Sequence, residues 1–335
     1  MGRYIKTLLL YSIPLLIAVA VYVVLDPFKV IWHYDNYIPQ EPNALTLNMD
    51  YVGTTNYDNK RELYNYSSFI LGNSRSRCWR VESWKKYIGN DAVCYHYDSH
   101  GESMFGIERK VEYLKKHSPD IKNVLMVIDK SVFANPDREN THTRYLSPQL
   151  DGYKNFIGFH VCNFLAFCTP PFFYAYIDNR LTGQVRPYMQ VDNIFIHPDY
   201  YDPVHNEYLP LRSEQSIREK TFYNAERMKV FEDKQFPDSV SPICIDDRKY
   251  EMLANISAIF KKQKTNVKVV INPLYDQIKL NPGDLRTIQS MFGEENVFDF
   301  SGVNDITSDY HNYYEESHYR IFIADSLLKV IYHHD

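Results

Sequence analysis

Ser68-Phe69-Ile70-Leu71-Gly72-Asn73-Ser74-Arg75-Ser76 is the stretch that decides the fold. A short apolar run ends in three turn-forming residues, Gly72, Asn73 and Ser74, and the segment 81–88 beyond them is helix-compatible. That reads as strand, turn, helix, and the pattern continues outward. Residues 92–97 read as a second strand, 99–103 as a loop, and 104–116 as a helix with apolar residues at helical spacing. Val124-Leu125-Met126-Val127-Ile128 is continuously apolar, the pattern of a strand buried on both faces. The alternation resumes late in the chain, with a helix at 250–263, a strand at 267–271, a helix at 285–292, a strand at 297–300 and a closing helix at 320–332. Strands alternating with helices predict an α/β fold, a three-layer α/β/α sandwich around a parallel sheet. Ligands of such sheets bind at the carboxyl ends of the strands.

A length of 335 residues suits two domains, or one large domain with an insertion. Hydrophobic residues at 44 % against 24 % charged exclude a disordered or collagen-like chain. Lys and Arg total 37 against 42 Asp and Glu, and no basic block exists to neutralise phosphates, so nucleic acid is excluded as a partner. The five Cys form no Cys-x-x-Cys motif, and His142, His197 and His205 show no ligand spacing, so neither metal nor cofactor is expected. The 29 Tyr and 19 Phe suit carbohydrate contact as well as core packing.

Residues 7–25 carry no charge; as a helix they would span about 28 Å, close to the hydrocarbon thickness of a bilayer. Arg3 and Lys6 precede them and Asp26 follows, so the positive-inside rule makes 1–25 a cytoplasmic tip and transmembrane anchor with the bulk extracytoplasmic. Ala18-Val19-Ala20 also fits a signal-peptide cleavage site, but the apolar run continues through Leu25, which favours the anchor. Both readings export the protein, and an oxidising compartment permits a Cys162–Cys168 or Cys78–Cys94 disulfide, with free thiols as the alternative. Residues 26–67, with Pro27, Pro39 and Pro42, read as a stalk. The α/β domain is then 68–335, and 130–245 is too long for a simple connection and reads as an inserted subdomain. Within it, 214–232 reads as one charged helix. The aromatic segment 153–176 reads as packing the insertion against the sheet; contact with a bilayer is the alternative, disfavoured because His160 and Asn163 interrupt an apolar face.

Ser74 follows the first strand's carboxyl end, where a hydroxyl stands at the sheet edge beside a helix terminus rich in unpaired N–H groups. It could equally be a helix N-cap. Far along the chain, Glu315-Glu316-Ser317-His318 lies between the last strand and the closing helix. His318 could take a proton from Ser74, and Glu315, three residues earlier, could turn back to fix the imidazole tautomer. Asn272-Pro273-Leu274-Tyr275, after the fourth strand, could line the same cleft or simply make a turn.

The strand-Gly-x-Ser start and acid-x-x-His end resemble the SGNH (GDSL-type) hydrolase superfamily, and particularly its membrane-anchored extracytoplasmic branch related to teichoic-acid D-alanylation and alginate O-acetylation proteins. The resemblance covers 68–130 and 250–335 and omits the insertion. It implies Ser74 as the acylated nucleophile, His318 as general base, Glu315 as the group orienting it, and Gly101 as an oxyanion N–H donor. Three positions differ from the family pattern: Asn73 and Glu315 each stand where Asp is usual, and Val127-Ile128-Asp129-Lys130 stands where Gly-x-Asn-Asp is expected. Asn73, Asn135 and Arg75 are the side chains that could replace the missing oxyanion donor. The implied function is extracytoplasmic serine-dependent acyl transfer, as O-acetyltransferase or esterase, on an envelope polysaccharide, beside a multispanning acyl exporter. A non-catalytic SGNH-like scaffold or glycan-binding component of an envelope assembly is the alternative.

Overall fold

The computed structural model describes residues 2–38, 44–118, 120–137, 139–189, 194–196, 199–232 and 239–332; for 2–9 and 232 only the backbone is described. Pro39, Pro42, His197 and the side chains of Arg3 and Lys6 lie outside the described residues. The chain divides into two compact units, Met1–Val52 with Asn140–Pro198, and Gly53–Glu139 with Asp199–Asp335.

The second unit is built on five strands: β1 Ser68–Asn73, β2 Cys94–Ser99, β3 Asn123–Ile128, β4 Asn266–Ile271 and β5 Val297–Asp299. They form one parallel sheet in the order β2-β1-β3-β4-β5, with Ser68 of β1 level with Cys94 of β2 and Asn123 of β3. Every residue of β1 is buried, which is why its apolar run does not alternate. Ile70, Leu125, Val127 and Val270 point into a core with Trp84 of the helix Val81–Ile88 and Leu328 of the helix Ile321–Tyr332. On the alternate side of β1, the ring of Phe69 meets Tyr57 at 6.2 Å, and Tyr57 meets Tyr95 of β2 at 5.5 Å. The helices Met104–His117 and Asp247–Gln263 are started by Ser103 and Asp246, whose side chains accept the N–H groups of Gly106 and Lys249. Gly72 is required where it stands, because any Cβ there would collide with the Val127 carbonyl oxygen on β3.

The first unit departs from the expected stalk and insertion. Residues 26–34 form no helix or strand, as expected, but they are folded around one side chain: the buried Asp26 carboxylate accepts the N–H groups of Val30 at 2.8 Å and of Ile31 and Trp32 at 3.0 Å, and the Tyr34 hydroxyl at 3.1 Å. Met49–Tyr64 is a helix rather than stalk. The expected insertion 130–245 divides: Asn140–Pro198 joins the N-terminal residues, while Asp199 onward belongs with the sheet. Its aromatic residues Phe159, Phe167, Phe172 and Tyr176 share a core with Tyr22, Phe28 and Val30, and no residue of β1–β5 is in that cluster among the described residues. The single helix expected at 214–232 is two, Leu211–Arg218 and Ala225–Glu232, separated where Lys220 takes a left-handed conformation. All five cysteines are free, so neither expected disulfide is formed; Cys78 Sγ instead meets the Tyr319 carbonyl at 2.5 Å and Cys162 Sγ the Asn140 carbonyl at 3.1 Å. A helix covers Gly2–Leu25, with Leu10–Leu25 as its described apolar part, and no single helix among the described residues is long and apolar enough to cross a membrane.

Gly72→Ala is expected to destabilise the protein by about 1–3 kcal/mol, the usual cost of forcing atoms into a packed interior. A lower urea midpoint with an unchanged slope is the measurement that checks it.

Candidate active site

The order β2-β1-β3-β4-β5 reverses direction between β1 and β3, and at such a switch point the connections diverge and leave a crevice beyond the strand ends. Ser74 lies there, opening the 3-10 turn Ser74–Cys78 directly after β1. The cap of that turn is Asn73, whose Oδ1 accepts the Arg75 N–H at 3.0 Å. This decides between the two readings of Ser74, since its neighbour does the capping and leaves the Ser74 hydroxyl for other chemistry. The turn is held from beneath by Ser76, which donates to the Asn73 carbonyl at 2.7 Å and lies 2.9 Å from His96 Nε2. Burial lowers the pKa of His96 to about 4, so it is neutral; with Ser76 already donating, its Nε2–H points at Ser76 and its buried Nδ1 lone pair has no partner among the described residues.

His318 Nε2 is 2.8 Å from Ser74 Oγ, across 244 positions of sequence. His318 opens a two-residue strand paired antiparallel with Tyr313–Glu315, in a register that sets Glu315 opposite His318. Glu315 Oε1 bonds His318 Nδ1 in a close pair. Ser317 fixes the carboxylate further, donating its N–H to Oε2 at 3.1 Å and its hydroxyl to Oε1 at 2.9 Å. Partial burial pushes the Glu315 pKa up, but the hydrogen bond and charge of His318 and the two Ser317 donors outweigh it and bring it to about 2. The imidazole is therefore offered to Ser74 with its far nitrogen held by an ionised carboxylate. Next to it, Tyr319 anchors the strand: its hydroxyl accepts Trp79 Nε1–H at 2.6 Å and donates to Asn272 Oδ1 at 2.7 Å.

A second constellation, absent from the sequence reading, surrounds Asp129 at the end of β3. Its buried carboxylate accepts from Arg75 Nη1 at 3.0 and 3.2 Å, Ser131 N–H at 2.9 Å, Ser131 hydroxyl at 2.5 Å, Asn73 Nδ2 at 3.1 Å and Asn272 Nδ2 at 3.0 Å. Burial raises its pKa, yet Arg75 and these donors bring it below the ordinary carboxylate value. Arg75 Nε also donates to the Ser317 carbonyl at 3.2 Å, tying this network to the loop that carries the histidine. The side chains suggested as oxyanion donors fare differently. Asn73 gives its amide to Asp129, and Asn135 gives its amide to the carbonyls of Gly101 and Glu102, both at 3.0 Å. Arg75 Nη2 carries no hydrogen bond among the described residues. Gly101 follows β2 in a left-handed conformation, φ 57°, in a loop braced by the buried Lys110–Glu102 pair at 2.5 Å.

Among the described residues no three His, Cys, Asp or Glu side chains converge to hold a metal ion. The chain matches no protein-family model and no curated protein.

Two outcomes follow from the charges. An unfolded Glu titrates near about 4.3, and Glu315 in the folded chain near about 2. A lowered folded pKa adds stability above the unfolded value, and that stability is lost as pH falls through the folded one. Wild type should therefore lose stability more steeply than Glu315→Gln between these two pH values, read from urea midpoints at successive pH. Asp129→Ala leaves Arg75 without its partner and should cost about 3–5 kcal/mol, seen in the same denaturation experiment at neutral pH.

Proposed function

We propose that this protein is an SGNH-like serine hydrolase or transferase, its parallel sheet forming the middle layer of an α/β/α sandwich, that moves an acyl group on an envelope polysaccharide. The observation that carries the reading is the chain Ser74–His318–Glu315, with Ser74 Oγ 2.8 Å from His318 Nε2 at the sheet's switch point. His318 Nε2 removes the Ser74 proton as Oγ attacks the acyl carbonyl carbon. The ionised Glu315 stabilises the imidazolium that forms. The oxyanion is assigned to the Ser74 and Gly101 N–H groups and to the spare Arg75 Nη2, in the place the superfamily gives to an Asn. His318 then returns the proton to the departing alkoxide, leaving acyl-Ser74. A water or a sugar hydroxyl, deprotonated in turn by His318, attacks that ester carbonyl; the C–Oγ bond breaks and His318 returns the proton to Ser74 Oγ.

The charge pattern and apolar run of the first 25 residues support a location outside a membrane, held there by the N-terminal helix; an acyl exporter as partner follows only from the resemblance. A second reading, a non-catalytic scaffold or glycan-binding component, is favoured by one feature: the Arg75–Asp129 pair occupies the strand end where an oxyanion-donating Asn would stand.

Treating the full chain with a fluorophosphonate probe tests the reading. Labelling should vanish in Ser74→Ala, and its rate should fall by on the order of a thousand-fold or more in His318→Ala. No labelling of wild type, with glycan binding retained, would establish the scaffold instead.

A further inference from the structure

The helices Phe156–Phe167 and Pro170–Thr182 meet at a bend of 70°. From Asn155 to Ile177 the chain carries no Asp, Glu, Lys or Arg. The first helix carries no charged residue, and its only strongly polar side chains are His160 and Asn163. Phe159, Asn163 and Phe167 form its buried face, with Phe164 and Phe167 meeting Tyr22 of the N-terminal helix at 5.5 and 5.4 Å. Its opposite face, Ile157, Val161 and Leu165, is 77, 49 and 59 % exposed. A helix without a polar face belongs in a protein core or in lipid, and half of this one is in no core. Of the two residues that interrupt the apolar face in sequence, Asn163 is wholly buried and donates to the Phe159 carbonyl, while His160 is half-buried with its ring against Phe156 and Phe159 and borders the outward stripe of Ile157, Val161 and Leu165.

The bend itself suits hydrocarbon, where a bare backbone N–H is costly. The Cys168 and Thr169 N–H groups bond back to Phe164 and Ala166, the Thr169 hydroxyl also bonds Ala166, and Pro170 and Pro171 have no N–H to satisfy. Charged groups gather toward the outer ends: Lys154 before the first helix, and, within the second helix near its end, Asp178, which accepts Arg186 Nε at 2.9 Å and the Tyr188 hydroxyl at 2.6 Å. The same unit exposes Leu15, Leu16 and Ile17 of the N-terminal helix, and Trp32, whose indole N–H donates to the Val23 carbonyl. Helices of 12 and 13 residues reach only about 18–20 Å each, too short to cross a bilayer but enough to enter one leaflet.

We propose that this bent helix pair is a re-entrant wedge seated in a phospholipid bilayer, its bend at Cys168–Pro171 the deepest point. The inference rests on the surface of the first unit and not on the reaction assigned to Ser74.

Cys168 is exposed at the bend, while Cys78 and Cys94 are buried. In the full chain carrying Cys162→Ser and Cys244→Ser, Cys168 is labelled with a nitrobenzoxadiazole fluorophore and the protein is reconstituted into phosphatidylcholine vesicles. The emission should shift to the blue and be largely lost when the lipids carry nitroxides on their acyl chains. In Val161→Asp/Leu165→Asp, with circular dichroism unchanged, that quenching should disappear while the N-terminal helix keeps the protein on the vesicles. Vesicle-bound wild type whose label is quenched by aqueous iodide and not by nitroxide lipid would overturn the proposal. So would a dimer in solution that Leu165→Asp dissociates, since the stripe would then be an interface between two copies. Fluorophosphonate labelling of the same sample reports on Ser74 separately.

Discussion

A carboxylate taken out of water must have its charge balanced and its lone pairs filled, or it destabilises the fold by several kcal/mol. Asp129 meets that demand with one guanidinium and donors from three residues, and those residues come from the ends of different strands: Asn73 closing β1, Ser131 after β3, Asn272 after β4. Satisfying one buried anion therefore sets three strand ends in register at the crevice. The cation that balances it, Arg75, also reaches the Ser317 carbonyl, so the same constraint extends to the loop bearing His318.

This arrangement separates structural duty from reactive capacity. On either side of Ser74, Asn73 caps the turn and Arg75 clamps the strand ends, so the serine between them makes its side-chain contact with His318. Buried Asp129 is neutralised on all sides, whereas Glu315 and His318 are about a third exposed and joined to one another. Two ion pairs within one site thus have opposite characters, one buried and saturated, the other partly exposed.

The sheet was legible because strands buried on both faces favour continuous apolar runs, as at 124–128, although β2 also buries His96, Asp98 and Ser99. The convergence of Ser74, Glu315 and His318 was legible because each falls after a strand end, and parallel sheets gather those ends along one edge. The Asp129 network was not, since a charged residue that will be paired in the interior looks the same in sequence as one left in water. Met49–Tyr64 escaped notice for a related reason: with Gly53, Thr54, Thr55 and Asn56 it has poor helix propensity, and its helical state depends on packing such as Tyr57 against Phe69 and Tyr95. The division of 130–245 left no mark either, because Asn140–Pro198 folds with residues far upstream rather than with its own neighbours. Lys220 in a left-handed conformation splits what composition alone made one helix.

The 244 positions between Ser74 and His318 also impose an order in time. A ribosome adding 5–20 residues per second needs on the order of 10–50 s to travel from one to the other. Throughout that interval the nascent serine has no imidazole beside it, and the anchoring Tyr319 and the helix Ile321–Tyr332 come later still. The Ser74–His318–Glu315 arrangement is therefore completed as one of the last events of synthesis.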